Sequence, residues 1–156
     1  MNDSILKEQL LVSLKGRGAH APHAAILSRI PAERAAEIPP GLTHSAYQLL
    51  EHMRYCIEDI LDYCRNPAYR LRKGEEYWVE NPPSVSEETW EKARAAYFRA
   101  LNEMIALVGS GDARLDAKVP SGPEDHTLFR EAIIVVDHNA YHCGQLAVIA
   151  HAIEAG

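Results

Sequence analysis

Long hydrophobic runs, paired cysteines and clusters of positive charge are all missing from this 156-residue chain. No apolar stretch approaches the roughly 18 residues that a membrane-spanning helix needs, so no membrane partner is expected. The opening "MNDSILKEQLLVSL" has no basic leader, long apolar block or small-residue cleavage site, which makes the cytoplasm the expected location. The three cysteines, Cys56, Cys64 and Cys143, form an odd set without C-x-x-C spacing. That argues against both a disulfide framework and a zinc knuckle. Cys56 and Cys64, eight apart in a helical pattern, are expected to behave as small buried hydrophobes. Lys plus Arg total 16 against 22 Asp plus Glu, and the densest basic group, "RLRKG" at 70–74, runs straight into Glu75 and Glu76. Phosphate binding relies on clustered positive charge, so nucleic acid is not an expected partner. Strand-like alternation, solenoid repeats and low-complexity tails are absent as well.

What remains is helical periodicity. The chain is 47% hydrophobic and long enough to bury a core, and a single domain over 1–156 is expected. A first helix is expected from Asp3 to Leu14, with Leu6, Leu10 and Leu14 on one face and a break at "GRG", 16–18. A short piece, "APHAAILSRI", should begin a new helical turn at Pro22. The clearest helix has apolar residues at 46, 49, 50, 53, 56, 57, 60, 61 and 64, with Ser45 and Gln48 as a capping box and Asn66-Pro67 as its stop. A loop then runs from Asn66 to Val85, long enough to suggest a functional role. Ser84-x-x-Glu87 should open the next helix, whose buried stripe is Trp90, Ala93, Tyr97, Leu101, Met104, Ile105 and Val108. After a second turn-rich loop, Asp125 or Thr127 should cap a last helix from Leu128 to about Ile153. Four long amphipathic helices with two long connections predict an all-α four-helix bundle.

Inside the last helix, "DHNAYHCGQL" (137–146) places His138 and His142 four residues apart. Positions i and i+4 are neighbours on a helix, so two imidazoles there can converge on one ion. The spacing gains meaning when a third ligand is in reach, because open metal sites commonly use three protein ligands. His52 lies at helical spacing between Leu49 and Cys56, at the edge of an inward face, where bundle metal sites are built. Three imidazoles suit Zn²⁺, Ni²⁺ or Fe²⁺ better than Ca²⁺ or Mg²⁺.

The pairing of "SAYQLLEHMRYCIEDIL" (45–61) with "DHNAYHCGQLAVI" (137–149) resembles the DinB-like metal-dependent four-helix bundles. It is similar in particular to a branch with "H-S-x-x-x-L-L-E-H" on the second helix and "D-H-N-A-Y-H-x-G-Q" on the fourth. "NPAYRLRKGEEYWVENP" and "GAHAPHAAI" extend the resemblance over most of the chain. It implies one divalent metal held by His52, His138 and His142, with solvent or substrate completing the shell. It also implies a metal-dependent hydrolase or a transferase acting on a low-molecular-weight thiol, as a homodimer. No separate catalytic base is indicated, and a non-catalytic bundle with a structural metal, or a metal-free dimeric stress protein, remain the alternatives.

Several neighbours of these histidines invite over-reading. Cys143 is rotated about 100° from His142 and is expected to pack. Gly144 should admit a neighbouring helix, and Gln145 either reaches the site or bonds across to another helix. Asp137, Asn139 and Glu51 are candidates to orient the ligands, with a solvated helix face as the plainer expectation. His44 and His126 fall at helix starts, His20 and His23 flank Pro22, and His151 lies near the chain's end, none an expected ligand. Tyr77 and Trp78 either roof a pocket or seal the end of the bundle.

Overall fold

The computed structural model describes residues 3–155. The architecture is all-α: α1 (Asp3–Leu14), α2 (His23–Leu27), α3 (Ala46–Arg65), α4 (Glu87–Gly109) and α5 (Leu128–Ala155). Short 3-10 turns cover Ala32–Arg34 and Gly74–Tyr77. Among the described residues there is no strand, only an isolated antiparallel bridge between Lys118 and Thr127 in the α4–α5 connection. No helix among them is long and apolar enough to cross a membrane. Five α-helices thus stand where the periodicity indicated four long ones and a short piece, the fifth being the single-turn segment α2. Pro22 sits one position outside α2, extended at φ −58°, ψ 145°, so the helix starts at His23 and not at the proline.

The helix ends follow local chemistry. The Ser45 side chain accepts from the Gln48 N–H at 3.2 Å while the Gln48 side chain accepts from the Ser45 N–H, a reciprocal cap that fixes the start of α3. At α4 the cap is Ser86, accepting from the Thr89 N–H at 3.2 Å, rather than Ser84. The reason is Val85: it is buried in the core immediately before the cap, as a residue pinning the entry of a helix must be. Thr127, not Asp125, caps α5, its hydroxyl accepting from the Arg130 N–H at 3.3 Å. At the end of α1, Gly16 takes φ +62°, and a Cβ there would lie 2.9 Å from the His23 ring. The predicted break at "GRG" therefore serves a close approach as well as a turn.

Packing follows from the stripes. α3 lies against both α4 and α5, and α1 closes the circuit by touching α4 and α5 on the far side. Leu49, Leu50, Met53 and Ile57 of α3 meet Tyr97, Met104, Leu146 and Ile149 in a core where each is fully buried. Truncating any one of these aliphatic side chains to Ala costs about 2–5 kcal/mol, because dense helix packing collapses only partly around the cavity. Trp90 is buried too, and its indole N–H donates to the Ile30 carbonyl at 3.0 Å, so the ring's one polar atom is satisfied. Cys56 and Cys64 are half-buried and Cys143 fully buried, and burial pushes all three thiols up to about 12. They remain protonated hydrophobes near neutral pH.

Candidate metal centre

Three helical positions meet in the α3–α5 seam. His52 lies one and a half turns into α3, on the flank of the Leu49–Met53 stripe, and His138 and His142 occupy successive turns of α5. Their ligand atoms all lie within 4.8 Å of one another, forming a cluster that can hold a metal ion. His138 Nε2 is 3.1 Å from His52 Nε2 and 3.1 Å from His142 Nε2. A tetrahedral ion with metal–nitrogen bonds of 2.0–2.1 Å separates neighbouring ligand nitrogens by about 3.3 Å. The two edges that meet at His138 are within a few tenths of an ångström of that value, and the third lies within 4.8 Å.

Hydrogen bonding on the far side of the rings decides where the protons sit. His52 Nδ1 is 3.0 Å from the Tyr77 carbonyl oxygen, which can only accept, so Nδ1 carries the hydrogen. His142 Nδ1 is 2.6 Å from Gln145 Oε1, and with the amide oxygen presented to it the same holds. Both rings therefore aim a bare Nε2 lone pair at His138. A neutral His138 has at most one Nε2 hydrogen to donate, so one of the two 3.1 Å contacts has no proton to share. A cation at the centre satisfies all three lone pairs at once, and the residues present fit one.

Electrostatics agree with that arrangement. Burial lowers the affinity of all three rings for protons, pulling His138 down to about 4, with His142 and His52 as further causes. His52 and His142 are lowered as well, burial first, against the opposing pull of Tyr77 and Gln145. Neutral imidazole is the form that ligates, and these surroundings hold it.

The long α3–α4 connection forms a roof. The Trp78 ring stacks flat on His52, centroids 3.9 Å apart and planes 4° from parallel, and His44 stacks on its other face at 4.1 Å. Trp78 and the Tyr77 backbone thus cover the His52 side of the cluster, while neither residue lines the cavity beside it. Tyr77 takes part through its backbone, while its hydroxyl turns away to Asp59. Beside the cluster, a cavity of about 420 Å³ is lined by Leu42, Thr43, His44, Tyr141, Gly144 and Gln145 among others, with no Lys, Arg, Asp or Glu.

Other expectations divide. Gln145 reaches the site instead of a neighbouring helix. Gly144 is exposed, and a Cβ there would meet nothing within 4 Å, so no helix approaches it and it borders the cavity instead. Asp137 is exposed as expected, but Asn139 and Glu51 are not on a solvated face: both are buried. Glu51 pairs with Arg54 at 2.5 Å, and Asn139 turns into the core with no protein partner for its Oδ1. His23, His126 and His151 bond to Tyr97, Tyr63 and the Ala147 carbonyl, away from the cluster. The Tyr77 carbonyl escaped sequence reasoning because any residue type carries one.

The sequence profile of the DinB superfamily matches residues 21–146, a span that holds all three clustered histidines. No curated protein and no solved structure matches the chain. The chain belongs to the DinB superfamily.

Proposed function

We propose that this protein binds one divalent transition metal through His52, His138 and His142 and acts as a hydrolase or as a transferase of a low-molecular-weight thiol. The observation that carries the reading is the convergence of three Nε2 atoms whose two outer rings have their Nδ1 hydrogens already committed to Tyr77 and Gln145. Three neutral imidazoles favour Zn²⁺, Ni²⁺ or Fe²⁺. Such an ion, when bound, acts as a Lewis acid that lowers the pKa of water or a thiol sharing its coordination shell. The chain's own contribution is to hold the rings in one tautomer, to cover the His52 face with Trp78, and to offer a neighbouring cavity for the body of a small substrate. Because that cavity has no Lys or Arg in its lining, uncharged thiols suit it better than polyanionic ones.

The bundle itself is read as four helices, α1, α3, α4 and α5, with α2 an accessory turn. Phe129, Ile133, Tyr141 and Val148 lie exposed along α5, which supports a homodimer built on that helix. Sedimentation at micromolar concentration distinguishes one chain from two.

The site is tested on protein purified without a histidine tag. Elemental analysis should find about one equivalent of a transition metal per chain, and the His142→Ala protein should hold none. Unchanged metal content in that variant sinks the assignment. Chelator-sensitive consumption of a thiol with an electrophile, or of an activated ester, then separates catalysis from a metal that only braces the fold.

A further inference from the structure

The α3–α4 connection is tied to α3 at one carboxylate. Asp59 lies about two turns beyond His52, on the same side of the helix, and is 7% exposed. Its Oδ2 accepts from the Tyr77 hydroxyl at 2.7 Å and from the Tyr69 hydroxyl at 2.9 Å. Its Oδ1 faces Arg72 Nε at 3.3 Å. Three side chains of one loop thus converge on one buried acid. Burial, with the Asp59 contact, pushes the Tyr77 phenol up to about 12 and raises Tyr69 too, so both stay protonated donors.

Tyr77 is held at two points. Its hydroxyl is on Asp59, and its carbonyl is on His52 Nδ1, both groups belonging to α3. The next residue, Trp78, lies flat on the His52 ring. The phenol anchor therefore sets where the carbonyl sits. We propose that Asp59 is a positioning residue for the metal centre: by gathering Tyr69, Arg72 and Tyr77 onto α3, it seats the Tyr77 carbonyl on His52 and keeps the His52 Nε2 lone pair aimed at His138. This inference rests on the metal-binding reading of the three histidines. Asp59 touches none of them and acts only through Tyr77. An N–H···O=C bond of this kind fixes a ligand's tautomer and ring orientation, and its loss typically weakens metal binding 10–100-fold.

The test uses Asp59→Asn and Tyr77→Phe in the full chain. The second change keeps the ring and the carbonyl and removes only the hydroxyl. Zn²⁺ affinity is measured by competition with a chromophoric chelator, and the metal-free proteins are examined by thermal melting and by ring-nitrogen NMR of the histidines. Each variant should bind Zn²⁺ about tenfold more weakly. The His52 ring should become a mixture of tautomers while His142 keeps its Nδ1 hydrogen, and the double variant should be little worse than Asp59→Asn alone. Wild-type Zn²⁺ affinity with His52 still a single Nδ1–H tautomer overturns the proposal. So does a lowered melting temperature with unchanged affinity, the mark of a merely structural anchor. If Asp59→Asn does not fold, Tyr77→Phe decides. If the wild-type chain takes up no Zn²⁺, the metal reading fails, while the ring-nitrogen spectra still show whether Asp59 governs His52.

Discussion

The protein buries histidine in two places, and the two are chemically unlike. At the α1–α2 corner, His23 is 5% exposed, its Nδ1 shares a 2.6 Å hydrogen bond with the Tyr97 hydroxyl, and Gly16 backs its other nitrogen. Its nearest imidazole, His20, is stacked 5.9 Å away and outside bonding range. In the α3–α5 seam His52 and His142 are buried and His138 half-buried, yet His138 faces the Nε2 atoms of the other two at 3.1 Å. Burial pulls His23 and His138 alike down to about 4, so a displaced proton affinity does not distinguish them. What does is the destination of the second nitrogen. At His23 it rests against backbone, whereas in the seam it points at other lone pairs. One histidine is a packing element with one nitrogen paired to a hydroxyl, and the others gather their lone pairs at one point.

Exchanging histidines should break that comparison most sharply. His138→Ala is expected to weaken metal binding at least about 1000-fold, beyond the roughly 100-fold that outer partners cost, while His23→Ala keeps its full metal equivalent. Titration calorimetry on both proteins checks this, and a His23 variant without metal would erase the distinction.

Acid should act next. The unfolded His23 takes up a proton near pH 6.5 and the folded one only near 4. Its contribution is therefore intact above 6.5, falls as the pH drops toward 4 and levels below, on the order of 3 kcal/mol in all. Urea unfolding across that range, compared with His23→Gln, should show a shallower acid slope for the variant.

Tyr97→Phe strands the His23 nitrogen in a dry corner and should cost about 1–3 kcal/mol, with no change in metal affinity. The denaturation midpoint should move without a change in slope. The smallest effect is expected at Gln145→Leu: about tenfold weaker metal binding and near-normal stability, because only the Nδ1 acceptor of His142 is lost. Equal metal affinity with and without that amide would assign the orientation of His142 to packing alone.

Sequence pattern reached some of this and not the rest, for physical reasons. α3 is legible almost to the residue because its stripe, its Ser45 cap and its Asn66-Pro67 stop are all local. The three clustered histidines are legible because two share a helix at i, i+4, the third sits at the edge of an inward face, and the family resemblance joins them. At α4 the capping-box pattern Ser84-x-x-Glu87 points two residues too early, and only the burial of Val85 selects Ser86, which caps with Thr89. The polarity of Asn139 points to a solvated face, and it does not reveal that α5 is enclosed on several sides. The roof was beyond reach altogether. It depends on a carbonyl, on a ring stack and on a carboxylate that draws together residues up to 18 positions away.

The two tryptophans divide the molecule between them in a way that an optical experiment can use. Trp90 is sealed in the core with its indole N–H on a carbonyl, and its emission reports global unfolding. Trp78 lies between two imidazoles, one of them a clustered histidine, where charge or a paramagnetic ion on that neighbour quenches its excited state. With Trp90 replaced by Phe, the remaining fluorescence becomes a built-in gauge of the roof, readable in solution without any added label.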